Sequence, residues 1–306
     1  MAPYQLPKDA VWLITGCSSG LGYALCEHLT KNTSSRVVAT ARKPSTLESL
    51  PTGPNILKLP LDVTSDSSIA DALTTTLKQF GRIDVVVNNA GYSVMGDTET
   101  MDMDQARGVM EANFWGAVRV TQRVLPILRE SNPKTGVKGG LVVQITSMGG
   151  RLAFAGNTFY HAAKFALEGF TEGLAKEMPP EWGIRFLCVE PGGVKTRYAE
   201  TATSGFDTSA RLEVYKNPNT PTNQLLKYKE SPEATKNWAE PERVVQVLFE
   251  FVERGGEMPL RLPLGSDSWG MQKHALEQGI KELDQLKDVS NSTSGEEQLA
   301  SIEFLK

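Results

Sequence analysis

The chain has 306 residues, of which 40% are hydrophobic, so it is long enough for one large domain with a sizeable core. Its 32 basic and 36 acidic residues leave a formal charge of −4, and no run of like charges suggests a nucleic-acid-binding surface. No stretch approaches the roughly 18 apolar residues of a membrane helix, and residues 1–9 do not resemble a secretory signal, so we expect a soluble cytoplasmic protein.

The cysteine pattern gives no indication of a metal site. Cys17, Cys26 and Cys188 are odd in number, and their spacing matches no metal-binding motif. A chain of this length does not need disulfides for stability, so we predict free thiols in a reducing compartment and no bound metal.

Short apolar runs of the strand type alternate with helical patterns over the first two-thirds of the chain. The predicted strands lie at 10–14, 36–40, 55–59, 83–87, 140–145, 184–189 and 259–262. The predicted helices follow the first strand to about residue 31 and then lie at 69–80, 103–129, 160–177, 242–254 and 266–286. Strands that alternate with helices pair in parallel, so the predicted fold is α/β, a doubly wound parallel sheet with ligands at the carboxyl ends of its strands.

Residues 197–240 interrupt this pattern because they are polar, contain prolines and have no clear period. We predict an irregular insertion with short helices there, which forms a mobile lid over a substrate. The segment 289–306 begins with a Ser/Asn/Gly-rich stretch and is predicted to be a flexible tail. With no internal repeat and no second domain, residues 1–306 form a single predicted domain, with its core at 8–196.

A glycine-rich turn follows the first predicted strand, in the sequence Thr-Gly-Cys-Ser-Ser-Gly-Leu-Gly at 15–22. Glycines between a strand and a helix let the backbone approach a pyrophosphate, whose charge the helix N-terminus favours. The spacing Gly-x-x-x-Gly-x-Gly differs from the standard Gly-x-Gly-x-x-Gly fingerprint of dinucleotide-binding proteins. The motif by itself is therefore also compatible with an ordinary tight turn.

The end of the second predicted strand favours NADP(H) over NAD(H). The acidic residue that usually binds a ribose hydroxyl is missing, and Arg42 and Lys43 stand at this place. A carboxylate would repel a 2′-phosphate, whereas a guanidinium can donate two hydrogen bonds to it. The alternative is that both side chains belong to a solvated loop.

Tyr160 and Lys164 lie one helical turn apart on a common helix face. An ammonium group favours the phenolate and lowers its pKa from about 10, so the tyrosine can act as a general acid or base. Ser147 follows the fifth predicted strand, where its hydroxyl can hold a carbonyl oxygen. Asn113, an amide in an apolar helix, serves either a proton relay or a hydrogen bond within the helix. His161 is predicted to have a packing or rim position.

Taken together, these residues resemble the short-chain dehydrogenase/reductase family in its single-domain branch. The resemblance is firm over residues 8–200 and rests on motifs in a fixed order. These motifs are Thr-Gly-x-x-x-Gly-x-Gly at 15–22, Asp62-Val63, Asn88-Asn89-Ala90-Gly91, Asn113, Ser147, Tyr160-x-x-x-Lys164 and Pro191-Gly192-Gly193-Val194-Lys195-Thr196. Cys17 departs from the small residue that is usual in its place, and it is small enough to fit.

The resemblance implies a Rossmann fold, NADP(H) as the cofactor and ketoreductase chemistry. The implied catalytic residues are Asn113, Ser147, Tyr160 and Lys164. The implied cofactor-binding residues are Gly16, Ser18, Ser19, Gly20, Leu21, Gly22, Arg42, Lys43, Asp62, Val63, Asn89, Ala90, Gly91, Tyr160, Lys164, Pro191, Gly192, Val194 and Thr196. Relatives often pair through two long helices, here 103–129 and 157–178, which implies a homodimer or a homotetramer.

The predicted substrate-site residues are Ser147, Met148, Phe154, Tyr160, Gly193 and Tyr198, several of them apolar or aromatic. They indicate a lipophilic ketone or alcohol, such as a polycyclic compound or a secondary metabolite, although the apolar residues among them would equally suit an ordinary core. One alternative is a non-enzymatic NADP(H)-binding regulator on the same fold, and a second is a redox-neutral reaction such as epimerisation or dehydration. Substrate identity, direction and stereochemistry are not determined by the sequence.

Overall fold

The computed structural model describes residues 3–197, 201–203 and 211–305, and within these ranges it contains one parallel sheet of seven strands. The strands are β1 (Val11–Ile14), β2 (Arg36–Ala41), β3 (Ile56–Pro60), β4 (Val85–Asn88), β5 (Gly140–Ile145), β6 (Ile184–Pro191) and β7 (Arg261–Leu264). They lie in the order β3-β2-β1-β4-β5-β6-β7. The strand order reverses between β1 and β4, and such a reversal opens a crevice at the carboxyl ends of those strands. The predicted doubly wound Rossmann sheet is confirmed.

Helices cover both faces of the sheet. The α-helices are α1 (Gly20–Asn32), α2 (Asp66–Phe80), α3 (Met103–Met110), α4 (Gly116–Pro126), α5 (Thr158–Glu177), α6 (Pro221–Glu230), α7 (Pro232–Thr235), α8 (Pro241–Arg254), α9 (Ser266–Gln285), α10 (Lys287–Asn291) and α11 (Glu296–Ser301). Among the described helices, none is both long enough and apolar enough to span a membrane.

Strand β1 is buried on both sides, which explains its unbroken apolar sequence. Trp12 and Ile14 belong to the core layer that includes α1 and α8, and the Trp12 ring lies 6.1 Å from that of Phe249. Val11 and Leu13 point to the opposite layer, which α2 and α4 complete. The alternation of side chains along one strand therefore joins the two halves of the core.

The long helix predicted at 103–129 is interrupted in the structure. A π-helical turn at Glu111–Trp115 separates α3 from α4, and a second one at Ile127–Ser131 follows Pro126. Apolar spacing does not reveal one widened turn, because a π-turn inserts a single residue into an otherwise regular helix. The first of these turns contains Asn113, so the interruption lies at the candidate site.

The C-terminal part differs in detail from the prediction. The last strand lies two residues later than predicted, at Arg261–Leu264, because its register follows pairing with Cys188–Pro191 of β6. The segment 289–306 contains most of α10 and all of α11, and the side chains described there are exposed. Its flexibility remains a prediction.

The insertion at 197–240, called the lid below, has the expected short helices in its described part, α6 and α7. A buried ion pair anchors it to the loop after β4: Arg211 donates to both carboxylate oxygens of Asp97, over 2.5 and 2.9 Å. Both side chains are almost fully buried. Met95, in the same loop, packs with Leu226 of α6. The lid is therefore attached at its base by charge and by apolar contact.

We expect Arg211→Met to lower the free energy of unfolding by about 3–5 kcal/mol, because Asp97 would remain buried without its counter-charge. Urea denaturation measures this loss. The matched control is Lys236→Met, which breaks the exposed ion pair with Glu233 in the same segment and should change stability by less than about 1 kcal/mol. Equal effects of the two substitutions would contradict the anchoring role of the buried pair.

Candidate functional site

The glycine turn after β1 lies directly against the chain that follows β4. Gly16 and Gly20 have φ angles of 71° and 60°, in the left-handed region that favours glycine. A Cβ atom on Gly16 would lie 2.8 Å from the Cα of Ala90, and one on Gly22 would lie 2.5 Å from the Nδ2 of Asn89. Ala90 and Asn89 therefore leave no room for side chains at positions 16 and 22, and no side chain covers the backbone of the turn there.

Two polar side chains hold this contact in place. The Thr15 hydroxyl accepts hydrogen bonds from the backbone N–H groups of Asn89 and Ala90, both at 3.0 Å. In return, the Asn89 amide donates to the carbonyls of Thr15 and Gly16 at 2.9 and 3.0 Å. The turn after β1 and the loop after β4 are thus joined at the point where the strand order reverses.

The N-terminus of α1 faces the crevice without a side-chain cap. Ser19 occupies the N-cap position but accepts no capping hydrogen bond, and the first turn contains no acidic residue. Backbone N–H groups at such a terminus attract an anion. A Cβ atom on Gly20 would lie 3.5 Å from the Thr196 methyl group, so the loop after β6 reaches this terminus.

Arg42 and Lys43 are exposed immediately after β2. The pKa of Asp62, which follows β3, is lowered first by the hydrogen bond from the Thr64 N–H and further by the Arg42 charge. Burial raises the pKa of Tyr92, and the same guanidinium opposes that shift. The Arg42 charge therefore acts on both of these residues.

Asn113 is buried in the π-helical turn, where its amide donates to the carbonyls of Tyr92 and Val109 at 2.8 and 2.9 Å. Its Oδ1 atom is buried and has no hydrogen-bond partner within the described part of the chain. A Cβ atom on Gly91 would lie 2.3 Å from this oxygen. The amide thus links the loop after β4 to the helix and leaves one acceptor available.

Ser147, Tyr160 and Lys164 meet at the carboxyl end of β5. The buried Lys164 ammonium donates to the carbonyl of Ile145 at 2.8 Å and lies 5.6 Å from the centre of the Tyr160 ring. Burial lowers the pKa of Lys164 to about 8, and Glu168 opposes this effect. The Ser147 hydroxyl accepts from the Gly149 N–H at 2.9 Å. The structure thus brings a hydroxyl, a phenol and a cation to one strand end.

The loop after β6 is held by groups that sequence reasoning missed. The Gly193 N–H donates to Asp267 at 2.7 Å, and a Cβ atom on Gly193 would lie 2.7 Å from the Trp238 ring. Val194 forms a single bridge with Ala239. Asp267 can be recognised in the sequence as an acidic residue in the first turn of α9. Its partner Gly193 lies 74 residues earlier, and local sequence patterns do not encode such a contact.

Two of the remaining predicted substrate residues, Met148 and Phe154, lie in the segment between Ser147 and Tyr160. Phe154 is half-buried, and its ring lies 5.5 Å from that of His161, which is itself buried. Met148 is half-buried in the turn after Ser147. Tyr198 lies outside the described residues.

A seven-stranded parallel sheet, a bare glycine turn at its switch point and a tyrosine–lysine pair at the end of β5 define a dinucleotide-dependent class of protein. The family model for short chain dehydrogenases matches residues 10–205. The chain belongs to this family, and it is an oxidoreductase of the kind that binds a nicotinamide cofactor.

One curated relative and one solved structure cover nearly the whole chain, and a second relative covers about three-fifths of it. Oxidoreductase calM of Penicillium decumbens is 40% identical over 293 residues, which are 94% of both chains. Retinol dehydrogenase 8 of Bos taurus is 38% identical over 194 residues, 61% of this chain and 59% of the relative. The crystal structure of a short-chain dehydrogenase from Streptomyces avermitilis has a TM-score of 0.77 and 33% identity, and it covers 93% of this chain and 98% of the other.

We expect Gly22→Ala to weaken cofactor binding at least about tenfold, because the added Cβ would push the Asn89 amide away from the turn that it holds. Fluorescence titration with NADPH measures the dissociation constant. The control is Gly173→Ala in α5, where a Cβ atom would meet nothing within 4 Å and where alanine favours the helix. Unchanged binding in the first variant would show that the turn tolerates a side chain.

Proposed function

We propose that the protein is an NADP(H)-dependent oxidoreductase that interconverts a carbonyl group and a secondary alcohol on a lipophilic substrate. The observation that carries this proposal is the buried Lys164 ammonium beneath the Tyr160 ring, at the strand end that borders the crevice. A buried cation beside a phenol has a chemical use, because it favours the ionised phenol and so makes its proton transferable.

The residues in the crevice fit a dinucleotide. The bare backbone at Gly16 and Gly22 leaves room for a pyrophosphate, and the uncapped N-terminus of α1 suits its negative charge. We assign cofactor contacts to the set implied by the family motifs, from the glycine turn to the loop at 191–196. When bound, the nicotinamide supplies the hydride chemistry, and the protein supplies position and proton transfer.

In carbonyl reduction, Tyr160 donates its phenolic proton to the carbonyl oxygen, and in alcohol oxidation it accepts the proton. Lys164 stays charged at neutral pH because its pKa of about 8 lies above 7, and its ammonium stabilises the phenolate left behind. Ser147 orients the substrate oxygen by a hydrogen bond. The free acceptor of Asn113 suits a water molecule that returns the proton, since a buried carbonyl oxygen needs a donor.

We infer a preference for NADP(H) from the charge at the end of β2. Arg42 and Lys43 are exposed where the adenosine ribose would lie, and the last residue of β2 is an alanine instead of an acid. The Arg42 guanidinium is close enough to Asp62 to lower the pKa of that carboxyl, so its charge already acts on this part of the crevice. A 2′-phosphate would add a second negative partner.

We infer a lipophilic substrate from apolar side chains in the loop after β4, in the segment after Ser147 and in the lid. Met95 is buried, Phe154 is half-buried, and Leu226 brings an apolar side chain from the lid. Apolar walls with few polar groups suit a large hydrophobic ketone or alcohol. Residues 197–240 would cover such a substrate as the predicted lid, while residues 8–196 form the cofactor and catalytic core.

We also propose that the protein pairs through the helices around its active site. Trp115 and Phe165 are exposed at 48% and 44%, on the helical segment that contains Asn113 and on α5 respectively. Pairing of these segments in a homodimer or homotetramer would cover both rings.

The alternative function, a non-enzymatic NADP(H)-binding regulator, is disfavoured because the chain keeps all the groups that catalysis requires.

We expect Tyr160→Phe to lower the rate of ketone reduction by about 10²–10⁴-fold, because the variant lacks the transferable proton. NADPH consumption with a panel of aromatic and polycyclic ketones measures this loss. Tyr23→Phe is the control, since its hydroxyl bonds to the Ser49 carbonyl on the outside of the fold. Undiminished turnover by the first variant would refute the role of Tyr160. If wild-type protein binds NADPH but turns over no substrate in either direction, the regulator becomes the better explanation.

We expect Arg42→Ala to lower the ratio of kcat/KM for NADPH to that for NADH by about 10–100-fold, because charged hydrogen bonds to the 2′-phosphate are lost. Parallel assays with the two cofactors and one ketone give this ratio. Arg107→Ala removes an exposed arginine of α3 and should leave the ratio unchanged. An unchanged ratio in both variants would assign cofactor selection to other residues.

A further inference from the structure

We propose that His161 and Lys229 form a second polar subsite in the substrate site, which binds an acidic hydroxyl group of the substrate, a phenol or an enol. This inference rests on the proposed function, because it places the hydroxyl on the same molecule as the reacting carbonyl. It adds a directed polar contact to a site whose walls are otherwise mainly apolar.

The His161 ring is buried, and its hydrogen bonding leaves one nitrogen to be satisfied. Its Nδ1 atom lies 2.9 Å from the carbonyl oxygen of Gly149. A carbonyl oxygen only accepts, so Nδ1 carries the hydrogen and, in the neutral ring, Nε2 is an acceptor. This Nε2 atom is buried and has no hydrogen-bond partner within the described part of the chain. A buried acceptor of this kind calls for a donor.

The position of His161 connects it to the reacting centre. Its ring lies 5.7 Å from the Tyr160 ring and 5.5 Å from that of Phe154. A Cβ atom on Gly149 would lie 2.5 Å from the His161 Nδ1 atom and 3.3 Å from the Ser147 hydroxyl. The imidazole therefore borders the place where Ser147 and Tyr160 would hold a carbonyl oxygen, and we infer that one substrate molecule can reach both this place and Nε2.

Lys229 brings a cation to the same place from the lid. It projects from α6, is half-buried, and its Nζ atom lies 3.4 Å from the sulfur atom of Met95. Burial lowers the pKa of Lys229 to about 8, so the ammonium persists at neutral pH. Gly96, the residue after Met95, donates its N–H to the Gly156 carbonyl at 2.9 Å, in the loop that leads into the helix of His161. The pKa of His161 is lowered first by burial and further by the Lys229 charge, which favours the neutral imidazole.

The chemistry of this pair selects the ligand. An ether or a carbonyl oxygen offers no hydrogen to Nε2, and a carboxylate would direct its oxygens at the Nε2 lone pair. A hydroxyl donates to Nε2, which it satisfies, and it can accept a further hydrogen bond from the ammonium. Among hydroxyls, a phenol or an enol gains most from the ammonium, because the neighbouring cation favours its partly ionised form.

The test compares ligands that differ only at this group, bound to the protein saturated with NADP⁺. Calorimetric titration gives the dissociation constants of hydroxyacetophenone and methoxyacetophenone, as para and meta isomers, and of para-acetylbenzoate. We expect wild-type protein to bind one hydroxy isomer about tenfold or more tightly than its methoxy partner and than the benzoate. Equal affinities in wild-type protein, or no binding of any hydroxy isomer, would overturn the subsite. Tightest binding of the benzoate would replace the hydroxyl site with an anion site.

Variants then assign the preference to the two residues. Lys229→Met and His161→Asn should each reduce the hydroxyl preference to about twofold or less, and the asparagine amide can retain the hydrogen bond to Gly149 while it removes the Nε2 acceptor. Lys227→Met, an exposed lysine on the same helix, should leave the preference intact. Retention of the preference in Lys229→Met would overturn the assignment, whether or not the His161 variant folds.

A parallel turnover assay with NADPH separates this inference from the proposed function. Wild-type protein that reduces the acetophenones without a hydroxyl preference in binding would keep the oxidoreductase and lose the subsite. Wild-type protein that binds the hydroxy isomer preferentially but reduces no carbonyl compound would keep the subsite and lose the proposed reaction.

Discussion

The close contact between the turn after β1 and the loop after β4 is the constraint on which the rest of the site depends. Thr15 and Asn89 exchange hydrogen bonds across the switch point of the sheet, and Gly16 and Gly22 have no room for a side chain there. This bracing fixes the N-terminus of α1 relative to the carboxyl end of β4. It also fixes Gly91 beside Asn113, so the cofactor cleft and the candidate catalytic groups share one rigid frame.

The candidate catalytic groups depend on a second constraint, the burial of charge. Lys164 is removed from water, and the carbonyl of Ile145 at the end of β5 accepts one of its hydrogen bonds. A buried ammonium is costly unless its hydrogens find acceptors, so its position is closely specified by the strand end. The π-helical turn has a similar effect on Asn113, because the widened turn orients the amide towards the loop after β4. The energetically costly buried ammonium and the irregular π-helical turn thus lie at the same site.

The lid is held by interactions of another kind. The buried pair of Asp97 and Arg211 joins its base to the loop after β4, while Lys229 carries a charge from α6 to Met95 of the same loop. The lid is therefore attached through Arg211, and it carries a charged group, Lys229, where α6 contacts the loop after β4. In the proposed substrate site, this charge would let otherwise apolar walls distinguish a specific polar group.

Much of the fold was predictable because it repeats along the chain. The apolar runs of β1, β4 and β5 have the length and composition of buried parallel strands, and helical patterns separate them. The bounds of β7 and the interruption near Asn113 were not predictable, since strand register depends on β6 and a π-turn changes only one residue in the helical period.

The sequence by itself determined the class of sheet, the glycine turn and the order of the motifs, because each of these is a local pattern with a local physical reason. Only the tertiary structure decided that Asp267 holds Gly193, that Thr15 bonds to the chain at Asn89, and that Lys229 reaches Met95. These contacts join residues far apart in the chain. Their geometry arises from packing of whole elements, and no periodicity or motif spacing records it.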